Sequence, residues 1–210
     1  MIDVSLSQSF LNPKSVAIIG ASADPKKTSS RAQRFLVSHG YKGKIFPVNP
    51  NREEIFGLKC YPNLKSINEH IDHIFIAVDS NKIIEAIKDA ISKKVRCATI
   101  LSGGFTESGS EGNDLEKQVF KIAQKGNLRI LGPNSIGLIN ITDNVILSAN
   151  AMLELQDLKK GSLGVISHSG SLIGALLAHG HSRGIGFSKL VSVGNESDLS
   201  VGEIGKMLVN

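Results

Sequence analysis

Four short segments bring together residue types that can hold an anionic ligand: Gly20-Ala-Ser-Ala-Asp-Pro25, Asn49-Pro-Asn-Arg52, Val78-Asp-Ser80 and Leu101-Ser-Gly-Gly-Phe105. Gly20 lets the backbone turn sharply and approach a phosphate, to which main-chain N–H groups and the Ser22 hydroxyl can donate. Arg52 adds a permanent positive charge that suits the same group. The dinucleotide fingerprint Gly-x-Gly-x-x-Gly is absent, and Arg52 stands where an acidic residue would hold a ribose, which disfavours NAD. The plainer alternative makes Gly20 and Gly103 tight-turn glycines without a ligand; four such loops on one edge favour the ligand. Glu107 and Glu196, each a lone carboxylate in a polar loop, are expected to be solvated. Cys97 lies in an apolar run and is expected in the core. His179 and His181 sit at a helix end as solvated or capping groups. No partner is legible for His39, His70 or His73.

Each of the four segments follows a short apolar run, which is how a buried parallel strand reads. Strands are expected at residues 15–20, 44–49, 73–78, 96–101 and 128–131, and helices at 29–39, 82–93 and 111–126. Strands alternating with helices of this length predict an open parallel sheet with right-handed crossovers. In such sheets ligands bind beyond the carboxyl ends of the strands, where the four segments fall. Residues 132–137, Gly-Pro-Asn-Ser-Ile-Gly, punctuate the chain and divide it into units 1–133 and 134–210. The second unit reads as strand 162–167, helix 169–181, strand 187–193 and helix 199–209. Two strand–helix pairs cannot bury both faces of a sheet, so this unit is expected to be incomplete.

With 210 residues, 41% hydrophobic and 20% charged, the chain has the balance of a soluble globular protein. Its net charge of +5 favours anionic partners. The basic residues are dispersed and aromatics make up only 5%, which points to a phosphate-bearing small molecule and away from nucleic acid. Cys60 and Cys97 match no metal spacing and are expected to be reduced. No secretory pattern or membrane-length apolar run is present, so a cytoplasmic, non-membrane protein is expected.

Several stretches together resemble one family in order and spacing. They are Leu11-Asn-Pro-Lys-Ser-Val-Ala-Ile-Ile-Gly-Ala-Ser22, Gly40-Tyr-Lys-Gly-Lys-Ile-Phe-Pro-Val-Asn-Pro50, Ser102-Gly-Gly-Phe-Thr-Glu107, Leu131-Gly-Pro-Asn134, Val165-Ile-Ser-His-Ser-Gly-Ser171 and Val193-Gly-Asn-Glu-Ser-Asp198. The family is that of the ADP-forming acetyl-CoA synthetases, NDP-forming acyl-CoA ligases related to the succinyl-CoA synthetase α subunit. The resemblance implies an α/β fold: a Rossmann-like, parallel-sheet CoA-binding domain, then the first part of a flavodoxin-like domain. It implies CoA against Gly20, Ala21, Ser22, Pro25, Arg52, Val78, Ser102 and Gly103. It also implies a phosphate loop at Ser167, His168, Ser169, Gly170 and Ser171, where hydroxyls and N–H groups at a helix N-terminus meet the anion.

Two departures stand out. The relatives usually read Val-Pro-Ala where this chain has Val78-Asp79-Ser80, and often carry Gly near Ser30. His168 falls where relatives commonly have Gln. The family's phosphohistidine comes later, past residue 210, so His168 is expected to be a phosphate ligand and no residue here is expected to be catalytic.

The function the resemblance implies is the CoA-binding part of an enzyme joining an acid to CoA with ATP turned to ADP and phosphate. ATP/ADP and Mg would enter only through ATP-grasp domains, in a partner subunit or elsewhere in the same protein, and a homo-oligomer is possible. This chain alone is expected to be inactive. The alternatives are a non-catalytic CoA- or nucleotide-binding module, an NAD-dependent enzyme, or part of a protein acetyltransferase.

Overall fold

The computed structural model describes residues 3–209. In chain order its elements are α1 Val4–Leu11, β1 Ser15–Ile19, α2 Thr28–Ser38, β2 Lys44–Val48, β3 Glu54–Ile55, β4 Leu58–Lys59, β5 His73–Ile76, α3 Ile83–Ser92, β6 Cys97–Ile100, α4 Ser110–Lys125 and β7 Arg129–Leu131. Then follow β8 Gly137–Asn140, β9 Val145–Ser148, β10 Lys160–Ser167, α5 Gly170–Ser182, β11 Phe187–Ser192 and α6 Val201–Leu208.

The first sheet has the order β2-β1-β5-β6-β7 and every pairing in it is parallel. Successive side chains of its strands point to opposite faces, and both faces are covered, which is why the strands are apolar throughout. Val16, Ile18, Phe75, Cys97 and Leu131 join a core with α1, α2 and the second sheet. Ala17, Ile74, Ile76, Ala98 and Ile100 face Ile83, Ile87 and Val119 of α3 and α4. From β1 the chain runs outward to β2 and then returns to the other flank of β1 at β5. The topological switch point therefore lies between the carboxyl ends of β1 and β5.

The second sheet has the order β10-β11-β8-β9, with β10 and β11 parallel and the β8–β9 hairpin antiparallel. Residues 138–148 carry no strand pattern in the sequence, which predicts only two strands here. The hairpin supplies two more, and its alternation is physical: Leu138, Val145 and Leu147 enter the core shared with the first sheet, whereas Ile139 and Ile146 face α5. Helix α1 was also unassigned. It starts at Asp3, whose side chain caps Leu6 N–H at 3.0 Å, and it buries Leu6, Phe10 and Leu11. The sheets are further tied by Arg129, whose Nε lies 2.9 and 3.0 Å from the Asp198 oxygens and whose Nη2 lies 2.8 Å from Glu203. Among the described residues, no helix is long and apolar enough to cross a membrane.

Candidate functional site

Gly20 ends β1 at the switch point with φ +83°, a conformation that L side chains rarely adopt. A Cβ there would sit 2.6 Å from Ala77 O, so glycine lets the β1 end lie against the β5 end. Gly20 N donates to Val48 O at 3.0 Å, and Asn49 Nδ2 to Ala21 O at 2.8 Å, which fixes the β1 and β2 end loops together. Over this junction opens a cleft of about 290 Å³, with Ile19, Val48 and Val78 in its apolar lining and Asn49, Asn51, Asn63, Lys82, Glu85 and Asp89 as its polar lining, the two carboxylates on the α3 side.

Around it, several donors have no protein acceptor among the described residues. These are the N–H groups of Ala21, Ser22 and Ala23. Ser22 Oγ accepts from Asp24 N at 3.1 Å, which leaves its own hydrogen available. Helix α2 begins without a side-chain cap and without an acidic residue in its first turn, so its positive end is not internally compensated. The Pro25 carbonyl accepts from Ser30 Oγ at 3.3 Å and Arg34 Nη1 at 3.1 Å, fixing the turn into α2. Arg52, next to Asn51 of the lining, is exposed, and its guanidinium has no partner among the described residues. Asp79 is exposed.

At the end of β6 the arrangement differs. The Ser102 hydroxyl donates to Val78 O and ties the β5 and β6 ends together. Gly103 is exposed, and a Cβ there would come 3.0 Å from Glu107 Oε1. Glu107 is not simply solvated. Its Oε1 accepts from Gly104 N at 2.7 Å and Phe105 N at 3.2 Å, and its Oε2 from Asn195 Nδ2 at 2.9 Å. Burial opposes its charge, but the hydrogen bonds from Asn195 and the two main-chain N–H groups outweigh burial and hold the carboxyl below its usual value.

The second candidate loop joins β10 to α5. Ser169 is the N-cap of α5, its Oγ accepting from Leu172 N at 3.2 Å, and Ser169 N donates to Ser167 Oγ at 3.0 Å. Gly170 packs on Ile136, where a Cβ would come within 2.7 Å of Ile136 Cγ2. Ser171 is exposed in the first turn. His168 is exposed, with Nδ1 3.1 Å from Gly194 O and Nε2 3.1 Å from Glu196 Oε2. Glu196, expected to be solvated, is instead held at φ +56°, and its Oε1 accepts from Val201 N at 2.6 Å at the start of α6.

Gly20 and Val78 thus line one cleft; Ala21 and Ser22 continue from it, Arg52 neighbours it, Ser102 bonds Val78, and Gly103 stands beside Glu107. Pro25 lies farther along, at the entry to α2. The serine loop belongs to the other sheet. Asn49 and Asn51 lie in a segment the sequence marks, although only Arg52 of it is given a role there; Lys82 is expected only as a helix start, and Glu107 and Glu196 only as solvated groups. His39, His70, His73 and His179 have partners too, His179 Nδ1 lying 3.1 Å from Arg183 Nη1, whereas His181, expected to be solvated or capping, has a buried Nδ1 without a partner among the described residues. His39 Nε2 meets Leu153 O at 2.9 Å, and His70 Nε2 meets Asp72 at 3.1 Å. His73 is fully buried, with Nε2 2.8 Å from Thr99 Oγ1. Cys97 is buried in the core, and burial pushes its thiol pKa up.

A parallel sheet with donors gathered at its switch point, joined to a second sheet with a serine-rich helix start, is the architecture of an α/β protein whose ligand edge lies at the carboxyl ends of its strands. Residues 14–141 match the CoA binding domain family, to which the chain belongs, and residues 160–210 match the succinyl-CoA ligase like flavodoxin domain. The chain is 38% identical over 194 residues to the ADP-forming acetate–CoA ligase II of Archaeoglobus fulgidus, covering 91% of this chain and 28% of that protein. It is 36% identical over 201 residues to the α subunit of the ADP-forming acetate–CoA ligase II of Pyrococcus furiosus, covering 96% of this chain and 43% of that one. Among solved structures, the acetyl-coenzyme A synthetase 1 of Ca. Korarchaeum cryptofilum in complex with phosphate and ADP superposes with a TM-score of 0.89 at 34% identity, over 96% of this chain and 42% of that chain. The chain therefore spans less than half the length of these relatives, the part that carries the CoA binding domain.

Proposed function

We propose that this chain is the CoA-holding part of an ADP-forming acyl-CoA ligase, with CoA across the carboxyl edge of the first sheet and inorganic phosphate at the β10–α5 loop. The observation that carries the reading is the set of donors around the switch-point cleft: the Ala21, Ser22 and Ala23 N–H groups, the uncapped start of α2 and the Arg52 guanidinium. The residues fit CoA. An apolar lining of Ile19, Val48 and Val78 suits a flat base, the flanking asparagines suit polar edges, and Arg52 with the free N–H groups suits phosphates. Gly20, Ala21, Ser22 and Arg52 carry the phosphates in this reading. Val78, Ser102 and Gly103 flank the rest of the molecule, and Pro25 shapes the loop.

Bound CoA supplies the thiol that takes the acyl group; the chain's own residues orient it and neutralise its phosphates. Ser167, His168, Ser169, Gly170 and Ser171 hold the phosphate, with unit boundaries at 1–133 and 134–210. Nucleotide chemistry belongs to an ATP-grasp domain or subunit working with this chain. Titration calorimetry tests the reading: CoA binds more tightly than dephospho-CoA or NAD, and equal or tighter binding of NAD overturns it. The chain on its own forms no acyl-CoA from ATP, an acid and CoA.

A further inference from the structure

The tripeptide Gly194, Asn195 and Glu196 touches both candidate loops at once, and each residue does so differently. Asn195 Nδ2 donates to Glu107 Oε2 at 2.9 Å and to Glu116 Oε2 at 3.0 Å. An amide has two N–H donors, so both are engaged, and facing two carboxylates fixes which way the amide points. Glu107 in turn holds the N–H groups of Gly104 and Phe105 in the β6 loop. Glu116 Oε2 takes Thr106 N at 3.1 Å and Thr106 Oγ1 at 2.6 Å, and its other oxygen takes the Ser197 hydroxyl. Asn195 N donates to Pro133 O at 2.9 Å. On either side of this anchored residue stand the two groups that hold His168, the Gly194 carbonyl on Nδ1 and the Glu196 carboxylate on Nε2. Gly194 (φ +59°) and Glu196 (φ +56°) are both in the left-handed region, and a Cβ on Gly194 would lie 2.1 Å from Pro133 O. The segment therefore has little freedom of its own, and its position is set by what Asn195 grips.

We propose that Asn195 is a positioning residue that joins the β6 loop to the phosphate loop. By gripping Glu107 and Glu116 it sets where Gly194 and Glu196 hold the His168 ring. The proposal rests on the reading of residues 167–171 as a phosphate site and adds to its machinery a residue from the loop after β11, the strand beside β10. A consequence is that ligand at the β6 loop, by moving Glu107, moves the His168 ring through Asn195.

The test uses the full chain labelled with ¹⁵N, reading the imidazole resonances of His168, assigned by their loss in His168→Gln, together with titrations of inorganic phosphate and of CoA. In Asn195→Ala the His168 resonances shift, phosphate affinity falls at least fivefold and CoA affinity stays within twofold. CoA shifts the His168 resonances of the wild type and leaves those of Asn195→Ala where they are. Asn195→Asp, which sets a carboxylate against Glu107 and Glu116, weakens phosphate binding further. Adding Glu107→Gln to Asn195→Asp reverses the donor and acceptor and recovers part of the loss, which a merely structural role for Asn195 does not predict. Unchanged His168 resonances in a folded Asn195→Ala chain overturn the proposal, as does absence of rescue in the double variant. If Asn195→Ala does not fold, the Asn195→Asp and double-variant pair decides alone. Failure of the wild type to bind phosphate sinks the phosphate-site reading instead, and the ligand-free His168 resonances still decide the role of Asn195.

Discussion

The carboxyl ends of the two sheets treat their polar side chains differently. Around the β1–β5 junction, main-chain N–H groups, a helix start and the Arg52 side chain are left without protein partners among the described residues. At the β10–α5 loop the N–H groups of His168, Gly170 and Ser171 are likewise without protein partners among the described residues, but side chains are engaged: Ser169 caps its own helix, Ser167 and Ser169 bond each other, and both ring nitrogens of His168 face protein acceptors. Donors without partners near an apolar cleft bind an anion with little rearrangement, whereas satisfied donors must first exchange one partner for another. At the first edge the Arg52 side chain is prepared for a ligand along with the main-chain donors, whereas at the second a ligand that uses the Ser167, His168 or Ser169 side chains has to replace internal contacts.

The largest expected effect falls on the prepared edge. In Gly20→Val the left-handed backbone costs roughly 1–2 kcal/mol. The added branch, starting 2.6 Å from Ala77 O, forces the β1 and β5 ends apart and adds about 1–3 kcal/mol. Denaturant unfolding should show the loss, and calorimetry should show CoA binding gone. A variant that keeps wild-type CoA affinity would break the contrast, because the junction would then not be the prepared part of the molecule.

The next effect separates a buried histidine from an exposed one. Burial, the dominant cause, lowers the His73 pKa from 6.5 to about 4, against the opposing pull of hydrogen bonds and Asp72. Above pH 6.5 the ring is neutral in both the folded and unfolded chain and adds no pH dependence. Between pH 6.5 and 4 only the unfolded chain takes up the proton. Stability therefore falls as the pH drops, by about 1.4 kcal/mol per pH unit and about 3 kcal/mol in total. Below pH 4 the contribution levels off. Urea unfolding across this range should show a steeper slope for the wild type than for His73→Gln, whatever the variant's absolute stability. Equal slopes would place the acid sensitivity elsewhere, among the carboxylates held below their usual values, Asp3, Glu107, Glu116 and Glu203.

Arg52 gives a smaller effect that sharpens the contrast. A charged hydrogen-bonding side chain facing phosphate is worth about 1.5–3 kcal/mol, so Arg52→Ala should weaken CoA binding roughly tenfold to a hundredfold. The difference should shrink as salt rises, because Arg52 is exposed. Folding stability should not change, since the guanidinium touches no protein group among the described residues. Unchanged affinity would return Arg52 to the solvated surface.

How much of this was legible in the sequence depended on the range of the interaction. The five strands of the first sheet announce themselves because burial on both faces makes them continuous apolar runs, and glycine marks the turn after β1. The β8–β9 hairpin was hidden because its strands are four residues long and include Gly137, Asn140 and Ser148, which carry little strand signal. The loops that carry the candidate residues could be located from the strand ends. Which of their donors are satisfied could not, because the partners come from distant parts of the chain. Glu107 and Asn195 stand 88 residues apart, and His168 and Gly194 stand 26 apart. A carboxylate in a polar loop gives no sign of such a partner until the sheets are packed.

The smallest expected effect compares one serine from each edge. Ser169 accepts the Leu172 N–H as the N-cap of α5, so Ser169→Ala leaves that donor without its cap and should cost about 1 kcal/mol. For a domain of this size that lowers Tm by about 2–4 °C. Ser22 Oγ accepts only from Asp24 N in a short exposed turn, and it caps no helix. Ser22→Ala should leave Tm within a degree or so of the wild type, as surface substitutions away from such features do, while weakening CoA binding by about 1 kcal/mol through the lost donor. Thermal unfolding and calorimetry on the two variants give four numbers, and the contrast requires a crossed pattern: stability lost with Ser169, CoA affinity lost with Ser22. If Ser22→Ala lowers Tm as much as Ser169→Ala, the hydroxyl at the first edge is structural too. The two edges would then differ in which partners they use, and the prepared state of the first would rest on its main-chain N–H groups and Arg52 alone.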